Sequence, residues 1–148
     1  MKLTKSSRLV NNRIELSLLA TINRKKDFRM KLNDIIKLAD GTTLTTDANL
    51  NINIHGGYGA DLMSDVLAAS QPNAILLTGL TNPQVVRTAQ MADFRAIIFV
   101  RGKQPQTETL QIANLENIPL ITSPLGMFEL CGRLHKAGLP SFESNVSQ

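Results

Sequence analysis

Across its 148 residues the chain has a single cysteine, Cys131, and no tryptophan, and aromatic side chains make up only 4% of it. One thiol closes no intramolecular disulfide and builds no cysteine metal cage, which points to a reducing compartment, the cytoplasm. With so few aromatics, the core has to be aliphatic. No apolar run approaches the roughly 18 to 20 residues that a membrane span needs, so no membrane association is expected. The first thirty residues also lack the succession of charge, apolar block and small-residue cleavage site that marks a signal peptide. His55 and His135 are the only histidines, and with one cysteine they give neither a metal site nor a triad a workable spacing. No nucleophile, base and anion hole can be assembled from what remains, so an enzyme is the least supported class and no cofactor is expected.

What is present is ordinary globular material, 43% hydrophobic and 19% charged, enough for one domain and too little for two. The net charge of +4 is unevenly spread. Residues 1–29 carry eight basic side chains against Glu15 and Asp27, a net of +6, while the remainder carries eight basic and ten acidic residues, a net of −2. A domain that is itself slightly acidic lacks a nucleic-acid footprint. The basic segment reads as an extension of the domain, with a short helix over residues 14–22. Lys26 and Asp27 are compatible with the codons AAGGAT, a purine-rich ribosome-binding sequence suitably placed before a start codon at Met30. The expectation is that translation begins at Met30; the rival is a basic tail that touches a membrane surface or nucleic acid.

From Met30 onward, Leu32, Ile35, Ile36 and Leu38 fall on one helical stripe, which Asp40 and Gly41 stop. Leu50, Ile52 and Ile54 alternate with asparagines as in a half-buried strand. Gly56, Gly57 and Gly59 then predict a tight bend with positive φ, followed by a helix over residues 61–69. The cluster lacks the spacing of a phosphate loop and of a dinucleotide fingerprint. Three nearly continuous apolar runs, residues 74–78, 95–100 and 119–122, suit strands covered on both faces. Each precedes a helical pattern, over residues 83–91, 107–114 and 126–136, the first opened by Asn82 as cap and Pro83. The alternation predicts an α/β fold, a single-domain three-layer sandwich with a mostly parallel sheet. Residues 141–148 read as a disordered polar tail.

In such a sheet, ligands sit beyond the carboxyl ends of the strands. The loops there hold Thr78, Gly79, Thr81 and Asn82, then Arg101 and Lys103, then Ser123, all small, polar or basic. Helix N-terminal amides and two cations suit a phosphate or carboxylate. The plainer account is that turns and caps need these residue types anywhere. Asp61 and Asp65, four apart, would share a helix face, most simply a solvated one. Cys131, among Phe128, Leu130 and Leu134, reads as a small core residue, and His135 lies where it would cap the last helix.

Three segments carry a resemblance: HGGYGADLMSDVLA (residues 55–68), AILLTGLTNPQVVRTAQMADFRAIIFVRGKQP (74–105) and ITSPLGMFELCGRLHKAGL (121–139). Over residues 30–140 the chain resembles the DRTGG domain family, which is similar to the N-terminal domain of HPr kinase/phosphorylase, although the eponymous five residues do not occur. The resemblance implies an accessory domain, found alone, beside CBS pairs in regulatory proteins and pyrophosphatases, or at the N-terminus of larger enzymes, with no established catalysis. It brings no catalytic residues, only residues 61–65 and 78–82 as characteristic positions. The expected function is a stand-alone, non-catalytic regulatory domain, homodimeric, that senses a nucleotide or other small anion through the loops named above. The alternative is an accessory subunit that docks on a larger enzyme or kinase with no ligand of its own, using an apolar patch at Leu125, Met127 and Phe128.

Overall fold

The computed structural model describes residues 5–69 and 71–143. In chain order the elements are α1 (Lys5–Asp27), β1 (Met30–Lys31), α2 (Leu32–Leu38), β2 (Thr42–Thr43), β3 (Asn53–Ile54), β4 (Gly56–Gly59), α3 (Met63–Ala68), β5 (Ala74–Thr78), α4 (Pro83–Met91), β6 (Phe94–Phe99), α5 (Thr107–Leu115), β7 (Leu120–Thr122) and α6 (Met127–Lys136). The main sheet has the order β2-β7-β6-β5-β4. Its last four strands are mutually parallel, and β2 pairs antiparallel with β7. The protein is therefore α/β, with a mostly parallel five-stranded sheet between helices.

The unbroken apolar runs explain the two-sided cover, because successive side chains on a strand point to opposite faces. Ile75, Leu77, Ala96, Ile98 and Ile121 pack with Leu32 and Ile35 of α2 and Leu130 and Leu134 of α6 in one core. Leu76, Ile97, Phe99 and Leu120 pack with Val66 of α3, Val85 of α4 and Ala113 of α5 in the other. Strands β4 to β7 step across the sheet in sequence, so their three crossover helices share one face. After β7 the chain leaves for the opposite face as α6. Neighbouring strands β6 and β7 thus send their chains to opposite faces beyond their carboxyl ends.

Several expectations give way to the structure. The strand expected over residues 50–54 shrinks to β3, which pairs with β1 in a separate ribbon. The carbonyls of Leu50 and Ile52 instead accept the amides of Asn33 and Leu32, two orphan donors in the first turn of α2. The glycine bend is strand β4, and none of its glycines has a positive φ. They serve close approach: a Cβ on Gly56 would run into the Phe142 ring, and one on Gly59 would lie 3.2 Å from both Cys131 Sγ and Met127 Sδ. The helix expected over residues 61–69 is the shorter α3, entered at Leu62, so Asp61 and Asp65 share no helix face.

Residues 141 and 142, expected to open a disordered polar tail, belong to the fold. Ser141 bridges Gly57 in parallel register and the Phe142 amide donates to the Gly57 carbonyl at 2.9 Å, extending the β4 edge. Residues 144–148 of that expectation lie outside the described ones. At the other end, α1 runs well beyond residues 14–22, with Leu9, Val10, Ile14, Leu16, Leu18 and Leu19 each more than half exposed. At 100° per residue these six point around the whole helix, leaving no single stripe for the domain to cover.

Candidate functional site

At the carboxyl end of β5 the chain turns through Gly79, and neighbouring groups hold that peptide from two directions. Asp61, two residues past β4, accepts the Thr78 hydroxyl at 3.0 Å and the Gly79 amide at 2.7 Å on the same carboxylate oxygen. The Thr78 hydroxyl in turn accepts the Leu80 amide. From the β6 side, Lys103 Nζ donates to the Gly79 carbonyl at 2.9 Å. A Cβ on Gly79 would meet Arg101 Nη2 and Lys103 Nζ at 3.3 Å and Asp61 Oδ2 at 3.4 Å. Two cations and one carboxylate therefore gather over a bare peptide, a local surplus of one positive charge.

Arg101 holds this position at a conformational cost. Among the described residues six non-glycine residues have positive φ, and five of them, Asp40, Asp47, Asn73, Asp93 and Asn117, are Asp or Asn. Those two types visit the left-handed region with local side-chain help; arginine does not. Arg101, at φ 57°, is followed by Gly102 at φ 64°. The reversed backbone lets both amides reach the loop after β7, Arg101 to the Leu125 carbonyl at 2.8 Å and Gly102 to the Ser123 carbonyl at 2.7 Å. Thr122 adds a hydroxyl bond to the Lys103 carbonyl at 2.8 Å. The side chains of Arg101 and Lys103 are left exposed on a firmly tied loop.

The structure thus brings together Thr78, Gly79, Arg101 and Lys103, and adds Asp61, which the sequence had assigned to a helix face. Thr81 and Asn82 lie at the entry to α4. The Thr81 carbonyl accepts the Gln106 amide and the Thr109 hydroxyl, fixing this entry to the start of α5. Asn82 occupies the N-cap of α4 without a side-chain cap bond, and its Oδ1 is buried with no hydrogen-bond partner among the described residues. Ser123 is set apart: fully buried, it donates to the Ala39 carbonyl at 2.6 Å and accepts the Leu125 amide, joining β7 to the end of α2.

The other singled-out residues have structural settings. Cys131 is half-buried, and burial, reinforced by the charge of Glu143, pushes its thiol pKa up. His135 is exposed in the last turn of α6. Of the suggested apolar patch only Phe128 is exposed, at 93%, because Leu125 and Met127 pack against the core under α6. Among the described residues no group of three or more His, Cys, Asp and Glu is placed to hold a metal ion, and no helix is long and apolar enough to cross a membrane.

No protein-family model matches the chain, and no curated protein matches it. Its fold is similar to that of the CBS and DRTGG domains of the regulatory region of Clostridium perfringens pyrophosphatase, solved in complex with the activator diadenosine tetraphosphate. The TM-score is 0.58 at 17% sequence identity, over 74% of this chain and 47% of that one, so the present chain spans about half the length of its structural neighbour. The likeness is one of α/β fold.

Proposed function

We propose that this chain is a non-catalytic regulatory domain of the DRTGG type that senses a small anionic ligand, a nucleotide in the first instance, over Gly79. Arg101 and Lys103 supply the charge, the Gly79 peptide the floor, and Thr81 and Asn82 the flank at the start of α4. The observation that carries this reading is Arg101 itself. A glycine would adopt its backbone conformation more easily, and strain of about 1–2 kcal/mol is tolerated where the side chain has work to do. The nucleotide bound by the similarly folded pyrophosphatase domains supports the choice of ligand. The sensing unit runs from residue 30 through residues 141–143, which pack on β4, and acts in the cytoplasm as a homodimer.

Arg101→Gly tests the reading with inorganic tripolyphosphate as the probe. At a hundred times its Kd, the probe should stabilise the native protein by about 2.7 kcal/mol, a rise of several degrees in a thermal scan. The variant should melt no lower than the native protein and lose that rise, and Lys103→Ala should weaken it. A variant that keeps the full shift sinks the assignment of Arg101.

One feature favours the accessory-subunit reading for a different part of the chain. Six apolar side chains of α1, Leu9 to Leu19, are exposed on every side, as in a segment whose cover comes from another protein. Light scattering of the full chain against residues 30–148 tests it; the same oligomeric state for both, with no partner retained from the host by the full chain alone, would remove α1 from consideration.

A further inference from the structure

Beside the Gly79 site runs a groove of about 420 Å³ between β4 and α6, lined among others by Gly59, Leu77, Phe128, Cys131, Gly132 and His135. This is within the usual size range for a small-molecule site. Two observations say that it is kept open. Gly132 lies within α6, where glycine weakens a helix relative to alanine, and no packing demands it: a Cβ there meets nothing within 4 Å, and its φ is not positive. Any larger side chain at this position would project into the groove that Gly132 lines. Phe128, on its wall, is 93% exposed, an aromatic ring that no described residue buries. The groove also lies near the anion site: Gly59 on its wall pairs with Leu77, two residues before Gly79, and Phe128 on its wall is three residues from Leu125, whose carbonyl accepts the Arg101 amide.

We infer that the groove takes the base of a nucleotide whose phosphates rest on Arg101 and Lys103. The groove supplies what a base needs and a phosphate does not: an apolar wall from Leu77 and Cys131, a side-chain-free flank at Gly59 and Gly132, and an exposed ring in Phe128 for stacking. This rests on the anion site proposed above and makes the ligand a nucleoside phosphate, excluding a bare phosphate or a sugar phosphate.

Calorimetry of the full chain with ATP and with inorganic tripolyphosphate separates the two ideas. The native protein should bind ATP about tenfold more tightly than tripolyphosphate, since base stacking on an aromatic side chain is worth about one decade in affinity. Gly132→Leu should bring ATP down to the tripolyphosphate value and leave tripolyphosphate unchanged. Phe128→Ala should remove part of the same margin, and Gly132→Ala should raise the melting temperature while keeping most of it. On titration of native protein with ATP, the backbone amides of Gly59 and Gly132 should shift, and with tripolyphosphate they should stay in place. Equal affinity for the two probes, or full ATP binding by Gly132→Leu, overturns the groove and leaves the anion site standing. Failure of both probes to bind overturns both.

Discussion

Strands β4 and β5 lie side by side in parallel register, Gly57 opposite Ile75 and Gly59 opposite Leu77, yet they are built from opposite materials. In β5 every residue is buried, and four successive side chains, Ala74 to Leu77, fill the two cores alternately. In β4 three of four residues have no side chain, and the space is filled from outside by Phe142, Leu139, Met127 and Cys131 coming down to the backbone. A central strand supplies its own packing; this edge strand receives it. The difference teaches why the two were not equally legible. Apolar periodicity records only side chains that a strand brings to the core, so β5 announces itself, whereas GGYG carries the signature of a bend.

The contrast predicts where each strand breaks. Leu76 is fully buried among Val85, Ile97 and Phe99, and Leu76→Ala should lower stability by about 2–5 kcal/mol in chemical denaturation, as lost transfer energy and a residual cavity add. In β4 the damage comes from addition. Gly56→Ala should cost about 1–3 kcal/mol by driving out the Phe142 ring, and faster hydrogen exchange at the Phe142 amide should accompany it. In a Phe142→Ala background the same substitution should cost almost nothing, a non-additivity that a double-mutant cycle reads directly. Equal costs in both backgrounds would mean that Gly56 is required for another reason.

The rest of the molecule divides along the same line. Helix α2, strand β5 and helix α4 are found at the residues their patterns indicated, because each brings its own apolar stripe, apolar run or first-turn proline. What sequence reading missed depends on partners distant in the chain. Leu50 and Ile52 look like strand residues, and their carbonyls are taken by α2. Asp61 looks like the start of a helix, and its carboxylate is taken by Thr78 and Gly79, seventeen and eighteen positions on. The loops at the strand ends were legible; the convergence of Arg101, Lys103 and Asp61 on Gly79 was not, since nothing local marks that glycine. Ser123 shows the reverse error, a small polar residue in the right loop whose hydroxyl is committed to the Ala39 carbonyl.

The gentlest probe of the same contrast is the thiol that rests on β4. Cys131 Sγ lies 3.2 Å from where a Cβ on Gly59 would be, half-buried, with its pKa raised by burial and by Glu143. A raised pKa means less thiolate at any pH below it, and the thiolate is the nucleophile. At pH 8 iodoacetamide should therefore alkylate Cys131 several-fold more slowly than an unfolded peptide thiol, with the rate still climbing at pH values where the peptide has levelled off. Gly59→Ala should push α6 off the strand by a few tenths of an ångström and move the rate toward the peptide value with little change in stability. If the rate stays slow in Gly59→Ala while the melting temperature falls, the strand has yielded in place of the helix, and β4 is the softer partner in that contact.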